Sequence, residues 1–203
     1  QRHGIAVGDA NSDGLDDVYV CQPAGLPNKL FLHQPDGTAQ DASAEFGVDW
    51  LDNTASALFV DLDNDGDQDL YVVNREQENA LYRNDLNSDS GFTEVACALT
   101  IGNKEIGQDG AWADYDNDGD IDILISNSGG RAQLLRNELP ANKNWVKIKL
   151  KGMPPNTHAI GAKLNVKYGE RSISSYVSFS STYLSSSDPT VHLGLSTQDS
   201  EVV

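Results

Sequence analysis

The chain has 203 residues, and its 31 acidic against 14 basic side chains leave a formal net charge of −17. That length suits one or two domains with a real core. A field so negative argues against nucleic acid, whose phosphates need a basic surface, and no stretch approaches the roughly 18 apolar residues of a membrane-spanning helix, so no membrane insertion is expected.

The acidity is unevenly spread. Residues 1–141 hold 27 acidic and 7 basic side chains, a balance of −20, whereas residues 142–203 hold 4 and 7, a balance of +3. Fourteen of the 31 acids fall in three nine-residue segments.

In chain order, a short apolar run at 4–7 enters the first segment, Asp9-Ala10-Asn11-Ser12-Asp13-Gly14-Leu15-Asp16-Asp17, and the β-branched and aromatic run 18–20 leaves it. A polar turn leads to a third run at 28–32. The turn formers Pro35-Asp36-Gly37 precede a fourth segment near 38–43. The same order returns with a run at 57–60, the segment Asp61-Leu62-Asp63-Asn64-Asp65-Gly66-Asp67-Gln68-Asp69, and runs at 70–73 and 79–82. A turn at Ser88-Asp89-Ser90 then precedes a segment at 91–96. The third copy has a run at 110–113, the segment Asp114-Tyr115-Asp116-Asn117-Asp118-Gly119-Asp120-Ile121-Asp122, and runs at 123–125 and 131–135. The segments start 52 and 53 residues apart, which marks a repeat architecture. Four short antiparallel strands in a unit of about 50 residues make a propeller blade, which buries its faces only by stacking on its neighbours. The expected units are 1–50, 51–103 and 104–141.

Oxygen donors at positions 1, 3, 5 and 9, with glycine at 6, describe a cage for a hard divalent cation, and Ca²⁺ takes six to eight oxygens at about 2.3–2.6 Å. The expected ligands are Asp9, Asn11, Asp13 and Asp17; Asp61, Asp63, Asp65 and Asp69; Asp114, Asp116, Asp118 and Asp122. Position 7 (Leu15, Asp67, Asp120) is expected to supply its backbone carbonyl. About three Ca²⁺ ions, one per loop, would offset six charges. An EF-hand would need an acid at position 12 and flanking helices; that position holds Val20, Val72 and Ile125 within strand-like runs. Acidic turns that bind nothing are the plain alternative, but uncompensated clusters of carboxylates repel one another.

Residues 142–203 differ. Trp145–Leu150 alternates apolar residues at 146, 148 and 150 with Lys147, Lys149 and Lys151, a half-solvated strand. Further strands are expected at 162–168, 172–179 and 191–195, making a small antiparallel β domain with its boundary near 139–142. The expected fold is all-β: a partial β-propeller of three four-stranded blades with calcium loops, followed by this domain.

The loops and their flanks, with Gly8-Asp9, Val60-Asp61, Ala113-Asp114 and Asn79-Ala80-Leu81-Tyr82-Arg83-Asn84, resemble the FG-GAP and VCBS repeats of integrin-α-type β-propellers. His33 and Gln34 depart from the Arg-Asn ending in the first unit. The tail resembles the ASPIC/UnbV module of the cartilage acidic protein family through Asn144-Trp145, Ile160-Gly161-Ala162, Tyr183-Leu184-Ser185, Ser187-Asp188-Pro189 and His192-Leu193-Gly194-Leu195. The resemblance implies Ca²⁺ between the first two strands of each blade, further blades or partner strands to close the propeller, and a module that continues beyond Val203. It also implies an extracellular or cell-surface scaffold for adhesion or for binding a protein or glycan partner. The alternatives are a structural or filament-forming subunit associating through open blade edges, and part of a larger enzyme.

No catalytic constellation stands out. The loops contain no histidine, and His3, His33, His158 and His192 lack ligand spacing to one another. The serines at 172–187 have no Gly-x-Ser-x-Gly elbow. His3 reads as a surface residue and His192 as a structural hydrogen bonder. Trp112 reads as core, and Trp50 as the exposed tryptophan best placed to meet a sugar. Cys21 and Cys97 leave two buried thiols or one disulfide open.

Overall fold

Short runs of alternating or doubly covered apolar residues become antiparallel strands, and turn residues between them set the hairpins. The computed structural model describes residues 3–85, 91–99, 101–140, 143–169, 171–179, 182 and 184–195. The expected turn at 88–90, Tyr183 of the module motif and positions 141–142 of the expected boundary lie outside the described residues.

The first sheet is a meander of β1 (Ile5–Gly8), β2 (Asp17–Val20), β3 (Lys29–His33) and β4 (Ala39–Asp41). The second repeats it with β5 (Thr54–Val60), β6 (Asp69–Asn74), β7 (Ala80–Asn84) and β8 (Phe92–Glu94), followed by the single helical turn α1 (Ala96–Leu99). The third has β9 (Gly107–Ala113), β10 (Asp122–Asn127) and β11 (Gln133–Leu135), three strands among the described residues where four were expected. The reason lies just beyond β11. The Leu139 backbone N–H donates to the carboxylate of Asp120, so the chain is held at the loop instead of returning beside β11.

Every residue of β5 and β6 is buried because the second sheet is covered on both faces. Period-two alternation sorts its side chains. Ala57, Phe59, Leu70, Val72 and Tyr82 join Ala6, Tyr19 and Leu30 in a core between the first and second sheets. Leu58, Val60, Tyr71, Val73 and Leu81 join Ile121, Ile123 and Ile125 in a core between the second and third. The first strands of adjacent sheets approach closely. A Cβ added to Gly110 would lie 2.8 Å from Leu58 Cδ2, and one added to Gly8 would lie 2.6 Å from Phe59 Cβ. The outer sheets each turn apolar residues outward: Ile5 and Val7 from β1, Leu124 and Leu134 from β10 and β11.

Opposite the acidic loops, Asn28 and Asn79 stand just before the third strands. Their Oδ1 atoms accept the N–H groups of Gln22, just past β2, and Asn74, the last residue of β6. Asn28 Nδ2 donates to Thr54 Oγ1, and that hydroxyl donates to Asn74 Oδ1, so a buried polar chain joins the first two sheets.

The tail forms two ribbons, β12 (Trp145–Ile148) with β15 (Val191–Gly194) and β13 (Lys163–Tyr168) with β14 (Arg171–Tyr176). Val177, Val191 and Leu193 form its own small core, flanked by Val146, Ile148, Leu164 and Val166. Cys21 is buried in the first sheet region while Cys97 is exposed on α1, and both are free thiols.

Leu58 is wholly buried between the second and third sheets. Leu58→Ala is expected to cost about 2–5 kcal/mol, read as a lower urea midpoint with an unchanged slope.

Candidate metal centre

Each acidic loop closes the hairpin between a first and a second strand, with Gly8↔Asp17, Val60↔Asp69 and Ala113↔Asp122 paired at its neck. One hydrogen-bond scheme is written three times. The first aspartate's Oδ2 accepts the glycine N–H at position 6: Asp9 from Gly14 at 2.8 Å, Asp61 from Gly66 at 3.0 Å, Asp114 from Gly119 at 2.9 Å. The fifth position's Oδ1 accepts the N–H of position 7: Asp13 from Leu15, Asp65 from Asp67, Asp118 from Asp120. The buried ninth aspartate accepts two backbone N–H groups, one from position 2 and one from the end of the third strand. Asp17 takes Ala10 and His33, Asp69 takes Leu62 and Asn84, and Asp122 takes Tyr115 and Asn137.

The curl depends on left-handed backbone at two positions. The glycines at position 6 have φ of 86°, 91° and 98°, and Ser12, Asn64 and Asn117 at position 4 have φ of 55°, 57° and 62°. Sequence reasoning accounted for the glycines but passed over position 4, where asparagine tolerates this region better than most side chains.

The carboxylates converge. Oxygens of Asp61, Asp63 and Asp69 lie within 4.8 Å of one another, as do those of Asp114, Asp116 and Asp122 and those of Asp63, Asp65 and Asp85. The first loop differs because Asn11 stands at position 3; its Nδ2 donates to Asp13 Oδ2 and its Oδ1 accepts the Asp13 N–H. Asp61 Oδ1 and Asp114 Oδ1 are buried without a hydrogen-bond partner, each on a carboxylate whose Oδ2 is already satisfied. A buried carboxylate oxygen in that state is costly unless a cation meets it, so the donor set fits a hard, oxygen-ligated ion.

Electrostatics tell the same story. Burial, then the charge of Asp63, raises Asp61 to about 7 and Asp65 to about 8. Burial raises Asp17 to about 6 and lifts Asp69 well above the usual carboxylate range. Asp120 and Asp122 are also raised by burial.

The loops are wired to one another. Asp9 N–H donates to Gln68 Oε1, Ser12 Oγ to Asp67 Oδ1, and Asn64 Nδ2 to Gly119 O and Asp120 Oδ1. Asn84 Nδ2 reaches back to Ala10 O, and Asn137 Nδ2 to Leu62 O. The side chains of Asp67 and Asp120, expected to matter only through their carbonyls, thus bridge neighbouring loops. His33 stands in structural register with Asn84 and Asn137. Its backbone N–H makes the shared bond, so the departure at His33 leaves the clamp intact.

The tail covers the second and third loops. His192 Nε2 donates to Asn64 Oδ1 at 2.7 Å, Gly194 N–H to Asp61 Oδ2 at 2.9 Å, and Lys147 pairs with Asp114. Lys147 was expected on a solvated strand face; the third loop covers that face, so its ammonium is half-buried against a carboxylate. Asp109 of β9 accepts Thr182 Oγ1 and the Leu184 N–H, and Ser187 Oγ accepts the Trp112 N–H. Between the first loop and β13–β14 lies a cleft of about 580 Å³, lined by Asp13, Asp16, Gln68, Trp112, Ser174 and Asp188 among others. Trp112 is half-buried there, and Trp50 is 51% exposed as expected. His3, read as a surface residue, is half-buried and donates from Nδ1 to Thr54 O.

Comparison with known proteins follows this division. The family model of the FG-GAP-like repeat matches residues 9–72 and again 61–125, and that of ASPIC and UnbV matches residues 152–203. The human protein "Cartilage acidic protein 1" is 26% identical over 219 aligned residues, which take in 98% of this chain and 32% of that relative. The chain therefore spans about a third of the curated relative's length.

Carboxylates whose folded-state pKa lies above the unfolded value near 3.8 make the folded protein bind more protons between those two values. Stability then falls as pH rises. In chelator, the melting temperature is expected to drop from pH 5 to pH 8, most steeply at the acid end of that range, with the loss tapering as pH passes the values of Asp17, Asp61 and Asp65. Saturating Ca²⁺ is expected to flatten that profile.

Proposed function

Because the chain belongs to the FG-GAP-like repeat family and carries an ASPIC and UnbV module, we propose that it is an extracellular, calcium-stabilised β-propeller scaffold that holds a protein or glycan partner. The observation that carries the calcium part is the pair of buried, unpartnered oxygens on Asp61 and Asp114, set in a loop scheme repeated three times. The proposed ligands are Asp9, Asn11, Asp13, Asp17 and the Leu15 carbonyl in the first loop. In the second they are Asp61, Asp63, Asp65, Asp69 and the Asp67 carbonyl. In the third they are Asp114, Asp116, Asp118, Asp122 and the Asp120 carbonyl. Bound Ca²⁺ supplies charge neutralisation, which lets carboxylates remain ionised where burial and mutual repulsion oppose it.

In this reading residues 1–141 are three blades and residues 142–203 the module. The outward apolar residues Ile5, Val7, Leu124 and Leu134 are then faces on which further blades pack. Those same exposed faces favour a second reading, self-association of copies of this chain, which sedimentation velocity distinguishes by a mass that grows with concentration. The recess for a partner is the cleft beside the first loop, whose carboxylates and hydroxyls suit the hydroxyl groups of a glycan. A glycan and protein binding screen with and without Ca²⁺ tests that assignment; retention of ligand by a variant with Asp16 and Ser174 both changed to alanine would place the partner elsewhere.

Calcium itself is tested directly. EDTA is expected to lower the melting temperature by several degrees and added Ca²⁺ to restore it, since an ion bound only to the folded state stabilises it by mass action. Asp65→Ala combined with Asp118→Ala is expected to remove two ions by metal analysis. An unchanged melt after chelation would refute the structural role.

A further inference from the structure

We infer that Asp85, which lies outside the nine-residue loop, is a further calcium ligand of the second site. This inference rests on the calcium reading above. The loop offers the side chains of Asp61, Asp63, Asp65 and Asp69 and the Asp67 carbonyl, whereas Ca²⁺ takes six to eight oxygens. Bidentate carboxylates, water or a residue from elsewhere in the chain must supply the rest. The second repeat holds such a residue.

Asp85 follows Asn84, the last residue of β7, whose N–H donates to Asp69 Oδ1 at 2.8 Å. That clamp brings the next carboxylate beside the loop. Oxygens of Asp63, Asp65 and Asp85 lie within 4.8 Å of one another, which is the span of two Ca–O bonds of about 2.4 Å. Asp63 converges in the same way with Asp61 and Asp69, so the two groups share a member and form one centre. Inside this centre Asp61 Oδ1 is buried with no hydrogen-bond partner. A buried carboxylate oxygen in that state calls for a cation.

Arg83 holds Asp85 in place without using all of it. Its Nη2 and Nε donate at 2.7 and 2.9 Å, both to Oδ2, so the guanidinium leaves Oδ1 of that carboxylate unengaged. The hydrogen bond to Asp85, then the charges of Asp85, Asp63 and Asp69, hold Arg83 above its usual range, which places it in the field of the loop as well. By the register of His33, Asn84 and Asn137, the counterparts of Asp85 are Gln34 and Glu138. Gln34 carries no charge. Glu138 pairs with Arg136 at 3.2 Å, and among the described residues no convergent group takes it in. The added ligand is a feature of the second repeat.

The test is calorimetric titration of Ca²⁺ into the metal-free whole chain, with the ion count from metal analysis and folding followed by circular dichroism. Asp85→Ala is expected to weaken one site about tenfold, since ligand charge sets the affinity of such sites. Asp85→Asn, isosteric with the native side chain, is expected to weaken it by a smaller factor and guards against a failure to fold. Loss of Asp85 also frees Arg83 to fall on the loop, so the decisive comparison is made without that cation. Arg83→Gln combined with Asp85→Ala is expected to bind about tenfold more weakly than Arg83→Gln alone. Terbium luminescence lifetimes in H₂O and D₂O, which count waters on the bound ion, are expected to show about one more water per chain in Asp85→Ala. Loss of a whole ion from the count would equally place Asp85 on a cation. A double variant that binds as Arg83→Gln does, with no added water, would overturn the inference and leave structural calcium standing. A wild type that binds no Ca²⁺ and melts identically in EDTA would remove both.

Discussion

The loop end of the molecule depends on one interaction: a buried carboxylate at position 9 that accepts two backbone N–H groups at once. Asp17, Asp69 and Asp122 each tie the start of their own loop to the end of the third strand of the same sheet. Neither N–H has a strand partner, because one lies in a curled loop and the other where a hairpin is ending. Left unpaired in a buried setting, each would cost on the order of 1–3 kcal/mol. The carboxylate meets both needs, but it brings a negative charge to a place that already holds three or four more. Everything else at this end deals with that charge.

Three devices do so. Backbone N–H groups at positions 6 and 7 point at the carboxylates of positions 1 and 5, and the left-handed residues at positions 4 and 6 create that arrangement. Neutral side chains of the neighbouring repeat, Gln68 and Asn64 in the loops and Asn84 at the end of β7, pair with polar groups that the curl exposes and thereby register one sheet against the next. Cations then answer what remains, and here the loops diverge: the third is met by Lys147 and Arg136.

The repeat, its strands and the convergence of the loop acids were legible because they are local. Glycine at position 6 and oxygens at alternate positions are constraints within nine residues, and strand pairs follow from alternation within a few more. Coverage of β5 and β6 on both faces was also readable, since a strand with no polar side is solvated on neither. The reduction of the third sheet to three strands among the described residues was not, because it turns on Leu139 finding Asp120 across 19 residues. Lys147 was misplaced for a related reason. A lysine alternating with apolar residues looks solvated from its own strand, and nothing within that strand says that an acidic loop 33 residues upstream will cover it. Side chains that join different repeats or join the tail to a loop, such as Asn84 and His192, carry no local pattern at all.

Asn64 shows how closely these parts are joined. Its Nδ2 donates to two acceptors, Gly119 O and Asp120 Oδ1, which fixes the orientation of the amide and leaves Oδ1 as acceptor for His192 Nε2. That bond in turn fixes the proton of His192 on Nε2. Burial, then the nearby charge of Lys147, lowers His192 to about 4, so the ring stays neutral throughout the ordinary pH range. A protonated ring would set a second positive charge beside Lys147. A neutral ring instead stacks on Trp145, whose indole seals Gly119 so closely that a Cβ there would lie 1.9 Å from it. The tail therefore meets the second and third loops through a neutral ring, a backbone N–H and an ammonium, and each contact falls on a loop that gathers buried carboxylates.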